Sequence, residues 1–170
     1  MTTPDPTAWR RAFNSPLEAG VRALAVLFET YPLKVDINRL VHFDYLVVHS
    51  ADVPDGPPSL HPATPLRSGE LLVRRALIEQ GVQIFLSRSL IESSHGNRGI
   101  VFGAAELAAG FLTSLESSYS QRLRERAAWA VRTFSDLSDS ELETFIRQNL
   151  DRWGSEFETP YAHREVPEWQ

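Results

Sequence analysis

Leu90-Ile91-Glu92-Ser93-Ser94-His95-Gly96-Asn97-Arg98-Gly99-Ile100-Val101-Phe102 is the stretch of the chain that decides its fold. Both ends are short apolar runs typical of β-strands, and the residues between them are those that form turns. Gly96 to Gly99 also has the GxxG spacing of a clamp for nucleic-acid backbones, but such a clamp lies between helices. The stretch therefore predicts a small β-hairpin.

Three helices are predicted before the hairpin. The first begins after Asn14-Ser15-Pro16, a capping residue followed by a proline in the first turn, and ends at Pro32. Asp36 can cap the second helix, whose apolar residues cover most of its surface and predict burial on several sides. Ser68 can cap the third, which is predicted to run to about Ser87 and to direct its apolar positions, Leu72 among them, toward the core.

Further helices are predicted after the hairpin, and the whole succession is typical of a winged helix-turn-helix unit. We therefore predict a mainly α protein, a winged helix-turn-helix-like domain with a small β-hairpin and a C-terminal helical extension. The predicted parts are a flexible lead-in (1–12), the winged-helix-like core (13–103), the helical extension (104–152) and a C-terminal tail (153–170). A plain helical bundle with an incidental hairpin is the alternative.

Composition excludes several kinds of chemistry. The 170 residues contain no cysteine, which excludes disulfides, thiolate zinc sites, iron–sulfur ligation and cysteine nucleophiles. The start of the chain has no secretory pattern, and the apolar runs are too short for a bilayer span, so we expect a cytoplasmic protein without a membrane segment. The formal net charge is -5, which disfavours a dedicated nucleic-acid binder and leaves any DNA contact local.

No motif points to catalysis. A phosphate-binding loop, a dinucleotide fingerprint and a Gly-x-Ser-x-Gly elbow are all absent from the sequence. His42 and His49 are two helical turns apart, roughly 10 Å along the axis, which is too far for one metal ion. His61 lies between prolines, where a structural hydrogen bond is the better interpretation. We therefore predict no catalytic residue, no cofactor site, no metal site and no enzyme activity.

Four arginines on or beside the third helix and the hairpin occupy the positions that a winged helix presents to DNA. The candidate DNA contacts are Arg74, Arg75, Arg88 and Arg98. Glu70 and Glu79 stand at helical pairing distances from the first two, so surface ion pairs explain these arginines equally well. The acidic net charge favours the ion pairs.

A loop from Val53 to Pro65 carries five prolines, which exclude a helix or a central strand there. A stiff loop loses little entropy on binding and is therefore a candidate contact surface for another protein. The alternative is that it packs only on its own domain. Candidate interface residues are Leu60, His61, Leu66 and Arg67 in and after the loop, and Trp153, Tyr161 and Trp169 in the tail.

Three stretches carry a resemblance to a known family: Phe13-Asn14-Ser15-Pro16-Leu17-Glu18-Ala19-Gly20; Arg39-Leu40-Val41 with Asp44-Tyr45-Leu46-Val47-Val48-His49-Ser50; and Ser59-Leu60-His61-Pro62-Ala63-Thr64-Pro65-Leu66-Arg67-Ser68-Gly69-Glu70-Leu71-Leu72-Val73-Arg74-Arg75. The chain resembles the middle component, second type, of ABC-three-component systems, which overlap with the Lamassu antiphage systems. The resemblance extends roughly from Phe13 to Phe134.

The resemblance implies a bacterial antiphage defence module of three genes. Its partners would be an SMC-like ABC ATPase that senses DNA and an effector of nuclease type. This chain would be the non-catalytic adaptor that bridges them, without a membrane contact and with DNA contacted only weakly or indirectly. The alternatives are a stand-alone winged-helix DNA-binding transcriptional regulator and a metal-dependent enzyme.

Overall fold

The computed structural model of the protein describes residues 15–62 and 67–155, with side chains described for 15–62 and 70–150. This part of the chain is mainly helical, as predicted. Its elements are α1 (Pro16–Thr30), α2 (Ile37–Val48), a 3-10 turn (Ser50–Asp52), α3 (Arg67–Ser87), β1 (Ile91–Gly96), β2 (Gly99–Ala104), α4 (Ala108–Ser114), α5 (Ser118–Phe134) and α6 (Asp139–Ser155).

The predicted hairpin is present and has one strand position more than the sequence indicated. β1 and β2 pair antiparallel, from Ile91 opposite Ala104 to Gly96 opposite Gly99. Between α1 and α2, Val35 adds a third strand position, since its N–H donates to the Phe102 carbonyl at 3.0 Å and its carbonyl accepts from the Phe102 N–H at 2.8 Å. The order helix, strand, helix, helix, hairpin is consistent with a winged-helix-like fold and confirms the predicted fold class.

The start of α1 follows from its first residues. The Glu18 N–H donates to the Ser15 hydroxyl at 3.2 Å, while the Ser15 N–H donates to the Glu18 carboxylate at 3.4 Å. This reciprocal pair is a capping box, and Pro16 occupies the first turn, where its missing N–H costs nothing. The helix therefore begins where the sequence predicts.

α2 is the central helix of the domain. The Arg39 N–H donates to the Asp36 carboxylate at 2.9 Å, which caps the helix as predicted. Its side chains are buried against α1, α3, α5 and α6, so residues on opposite sides of the helix all lie in the core. The fully buried apolar residues of α2 are Leu40, Phe43, Tyr45, Leu46, Val47 and Val48.

α1 and α3 touch through their backbones. A Cβ added to Gly81 would lie 2.4 Å from the Gly20 nitrogen, and one added to Gly20 would lie 2.5 Å from the ring of Phe85. No side chain fits at either position, so the two glycines allow the approach. This close crossing brings the first half of α3 onto α2 as well.

The C-terminal helices extend the same core. Ser117 caps α5 by accepting from the Ser120 N–H at 3.1 Å, and Ser138 caps α6 by accepting from the Glu141 N–H at 3.3 Å. α5 packs on α1 and α2, and α6 packs on α2 and α3. The buried residues that these two helices add are Leu123, Ala127, Ala130, Val131, Phe134, Leu142, Ile146 and Leu150.

Candidate interaction surfaces

A buried ion cluster connects the first three helices. Asp44 on α2 is fully buried between Arg22 on α1, whose Nε donates to Oδ1 at 2.7 Å, and Arg74 on α3, whose Nη1 donates to Oδ2 at 2.5 Å. Burial alone would raise the pKa of Asp44, but the two guanidinium charges outweigh it and hold this pKa below its ordinary value. Asp44 therefore remains ionised within the core.

The cluster continues to the end of α2. Arg74 also donates through Nη2 to Glu70, one turn earlier on α3, and the same carboxylate oxygen lies 2.8 Å from His49 Nε2. Of these side chains only Glu70 is more than slightly exposed. We call Arg22, Asp44, His49, Glu70 and Arg74 the Asp44 cluster. The side chains of this cluster bind one another, and these contacts hold α1, α2 and α3 in position.

The loop after α2 packs against its own domain. The N–H groups of Leu60 and His61 donate to the Val48 carbonyl at 3.0 and 3.1 Å, and His61 Nε2 lies 3.0 Å from the Tyr119 hydroxyl of α5. Leu60 packs against the core. Burial, reinforced by the charges of Arg22 and Arg74, lowers the pKa of His61 to about 4. A structural role for His61, as interpreted from the sequence, agrees with these contacts.

Other bonds secure the same loop. Arg126 Nε of α5 donates to the Pro58 carbonyl at 2.9 Å, and the Ala51 N–H donates to the Ser59 hydroxyl at 3.1 Å. The described part of the loop therefore packs on its own domain, which was the alternative interpretation of its sequence. Leu60 and His61 are half-buried, and their role in an interface stays a prediction.

The remaining predicted interface residues fall on parts of the chain that the structure leaves undescribed. Leu66, Tyr161 and Trp169 lie outside the described residues. Arg67 and Trp153 lie within α3 and α6, but their side chains are not among those described.

The predicted DNA contact Arg74 is only 5% exposed and is held by Asp44 and Glu70, so its guanidinium is not presented to a phosphate. The reason is its position on α3, one turn before the buried Ile78. Arg75 is exposed, and its Nε donates to Glu79 at 2.9 Å. Both arginines therefore make the ion pairs that were the alternative to DNA binding.

The tip of the hairpin is tied to the helical extension. Arg98 is largely exposed and forms an ion pair with Asp139 at the start of α6, while Arg39 Nη1 donates to the same carboxylate at 2.8 Å. The hydrogen bond from Arg39, together with the one from Arg98, lowers the pKa of Asp139. Arg88 lies exposed just after α3. Of these two predicted DNA contacts, Arg98 is therefore already paired with an acid.

The first half of α3 exposes a group of apolar side chains beside Arg75, which the sequence did not predict. Leu72 and Val73 are 76% and 65% exposed, and Ala76 beside them is also exposed. Leu72 was expected to face the core, but the buried side of the helix passes through Arg74 and Ile78 instead. We call Leu72, Val73 and Ala76 the α3 face. The sequence signal for this arrangement was that Arg74, and not a leucine, lies four residues before Ile78 on the buried side of the helix.

A groove lies at the C-terminal end of α1. Its volume is about 250 Å³, and its walls come from the end of α1, the segment before α2, the first half of α2 and the end of α5. Phe28, Tyr31 and Leu33 are exposed at this end of the molecule, and the last two line the groove. The lining residues are Glu29, Thr30, Tyr31, Pro32, Leu33, Val35, Arg39, Phe43, Val131 and Ser135.

The described residues contain neither a cluster of metal-ligand side chains nor a membrane-spanning helix. Within residues 15–62 and 67–155, no group of three or more histidine, aspartate or glutamate side chains is placed to hold a metal ion. In the same residues, no helix combines the length and apolar character that crossing a bilayer requires.

Comparison with known proteins places most of the chain in a family. The family model described as ABC-three component (ABC-3C) system Middle Component 2 matches residues 12–156. The matched region contains all the described helices, the hairpin, the Asp44 cluster and the α3 face. No curated protein and no solved structure matches the chain.

Proposed function

Because the chain belongs to the Middle Component 2 family of ABC-three component defence systems, we propose that it is a non-catalytic adaptor that holds other components of its system together. The proposed partners are an SMC-like ABC ATPase and an effector of nuclease type. Membership in a system of several components supports protein partners in general, and the sequence resemblance described above supports these two. The proposed site of action is the cytoplasm, where ATP for such an ATPase is available.

The α3 face is the observation that carries the proposal. In a winged helix this helix reads DNA, and its outward side is then polar and basic. Here it carries Leu72 and Val73, each more than half exposed, in a domain with ample core for burying such residues. Exposed neighbouring apolar side chains on a rigid helix are the kind of surface that binds protein.

The Asp44 cluster supports the adaptor by making that surface rigid. Its ion pairs connect α3 to both α1 and α2, and the crossing at Gly20 and Gly81 holds α3 from the other end. A surface that is already ordered loses less conformational entropy when a partner binds. The ionisable groups of the core thus hold α3 in place and keep its exposed surface ordered.

The second candidate function, DNA binding by the chain alone, has its own support in the exposed arginines Arg75, Arg88 and Arg98. Two of the three already form ion pairs with Glu79 or Asp139. DNA would have to replace those carboxylates, which weakens the case for this function. The two functions differ in salt dependence, because contacts with phosphate release counterions.

The test is binding to the other two components of the same system, purified together. We expect the wild-type chain to bind them and the double variant Leu72→Glu, Val73→Glu to lose affinity roughly tenfold or more, because two charges would enter an apolar interface. Leu107→Glu is the matched control, since Leu107 is equally exposed but lies just before α4. Both substitutions are on the surface, so folding is retained.

The result that contradicts the proposal is equally clear. A wild-type chain that binds neither component is not their adaptor. If it instead binds duplex DNA alone, with steep salt dependence that Arg75→Glu and Arg88→Glu reduce, the regulator is the correct function.

A further inference from the structure

We propose that the groove at the end of α1 is a second docking site, which binds a polypeptide segment of a partner that carries a large apolar side chain next to a lysine or arginine. This inference rests on the proposed adaptor function and adds the chemistry of one partner contact. It concerns a surface separate from the α3 face.

The size and walls of the groove suit one large apolar side chain. Its volume of about 250 Å³ accommodates a leucine or an aromatic ring, and Val35, Phe43 and Val131 contribute apolar lining. Two further lining residues, Tyr31 and Leu33, are 72% and 68% exposed at its edge. Anchoring of a protein partner commonly occurs where a large side chain enters such a pocket with apolar neighbours around it.

A charged residue in the groove indicates which kind of residue lies next to the apolar side chain of the partner. Glu29 is half-buried in the lining, and it makes no hydrogen bond or ion pair with the side chains that the structure describes, those of residues 15–62 and 70–150. Burial raises the pKa of Glu29, and the charge of Arg132 offsets this only in part. A partly desolvated carboxylate without a bonded partner is complementary to a cation.

The other charged group in the lining is already engaged. Arg39 donates to Asp139, to the Ser135 carbonyl at 3.0 Å and to the Phe134 carbonyl at 3.4 Å. Its donors are thus taken up by the end of α5 and the start of α6, and they are not free for an incoming partner's acid. Glu29 is therefore the group in the groove that remains for a partner's charge, and the complementary charge is positive.

The groove and the α3 face are formed by different helices and share no residue. The end of α1, the start of α2 and the end of α5 form the walls of the groove, whereas the α3 face lies on α3 alone. An adaptor that bridges partners needs separate surfaces, and these two surfaces meet that need.

A second copy of the chain fits the groove poorly. A symmetric pair formed through this groove would bring the two Glu29 carboxylates into one interface, and each chain carries a formal charge of -5. Like charges in one interface oppose association. The occupant is therefore a different polypeptide.

The test measures affinity for the purified pair of other components. We expect Leu33→Glu to weaken binding roughly tenfold or more, because a charge enters the apolar pocket. Glu29→Gln keeps the shape and is expected to weaken binding roughly threefold at low salt, with the difference disappearing at high salt. Leu107→Glu and Glu106→Gln, both exposed and outside the groove, are the matched controls and should bind as wild type.

Each other outcome has a definite meaning. If both groove variants bind as wild type while the α3-face variant does not, the groove is no docking site and the adaptor stands. Should the wild-type chain bind neither component, the adaptor function fails, and this inference fails with it. A wild-type dimer by light scattering that Leu33→Glu dissociates would assign the groove to a second copy and overturn the proposal.

Discussion

Arg74 Nη1 lies 2.5 Å from Asp44 Oδ2, and both side chains are buried, so an arginine at a position typical of DNA contacts instead pairs with an acid inside the core. Arg22 approaches the other oxygen of the same carboxylate. Arg74 pairs with Glu70 as well, but both cations share the Asp44 carboxylate. The position of α3, and with it the α3 face, depends on that carboxylate.

Asp44→Asn should destabilise the fold strongly. The variant keeps the shape of the side chain but removes the negative charge with which Arg22 and Arg74 both pair inside the core, which costs about 3–5 kcal/mol of unfolding free energy. Urea denaturation at neutral pH measures the difference. Asp139→Asn is the control, since that carboxylate is one-third exposed and pairs near the surface, where a loss of about 1 kcal/mol is expected.

The pair of Arg74 and Asp44 also predicts how the stability of the fold changes with pH. The folded pKa of Asp44 is below its ordinary value of 3.8, so its contribution to stability is fully present above that pH. It is lost as the pH falls through the lower, folded pKa. The stability difference between wild type and Asp44→Asn should therefore shrink at acid pH, and a difference that grew there would contradict the assignment.

His61 should make the wild type less stable as the pH falls from about 6.5 toward 4. Its pKa is lowered from 6.5 to about 4 in the folded chain, so the unfolded chain takes up the proton first. Over that interval the loss is roughly 2–3 kcal/mol. Denaturation of wild type and His61→Gln at several pH values tests this, with His95→Gln on the hairpin as the control. A slope that survives in His61→Gln belongs to another group.

Gly81→Ala and Gly110→Ala should have opposite effects. A methyl group at Gly81 meets the backbone of α1, and forcing the helices apart costs about 2–3 kcal/mol. At Gly110, inside α4, no atom lies within 4 Å of the added carbon, so alanine should stabilise the helix by about 0.5–1 kcal/mol. Thermal unfolding of both variants measures this, and equal midpoints would contradict the close crossing.

Local signals predicted most of the fold. The cap and first-turn proline of α1, the cap at Asp36 and the turn of the hairpin depend on residues close in sequence, so they could be recognised directly. The strand position at Val35 could not, because it is a single residue that pairs with Phe102 far along the chain. The packing of α1 against β2 determines that Val35 pairs with Phe102.

The surfaces were harder to predict than the helices. Arg74 lies four residues before Ile78 on the buried side of α3, a spacing that was visible, but an arginine there is normally exposed. The burial of Arg74 became clear only once Asp44 was placed beside it. The groove depends on Leu33 and Val131, which are nearly a hundred positions apart, and no local pattern connects them.

Photo-crosslinking from the α3 face tests the central claim most directly. A photoreactive amino acid is placed at Val73, or at Leu107 as the control, in the chain co-expressed with the other two components of its system. We predict a crosslink from Val73 to one of those components and none from Leu107. Co-purification of the components with no crosslink from Val73, or a crosslink from Val73 to DNA in their place, would contradict the claim that this face holds a protein.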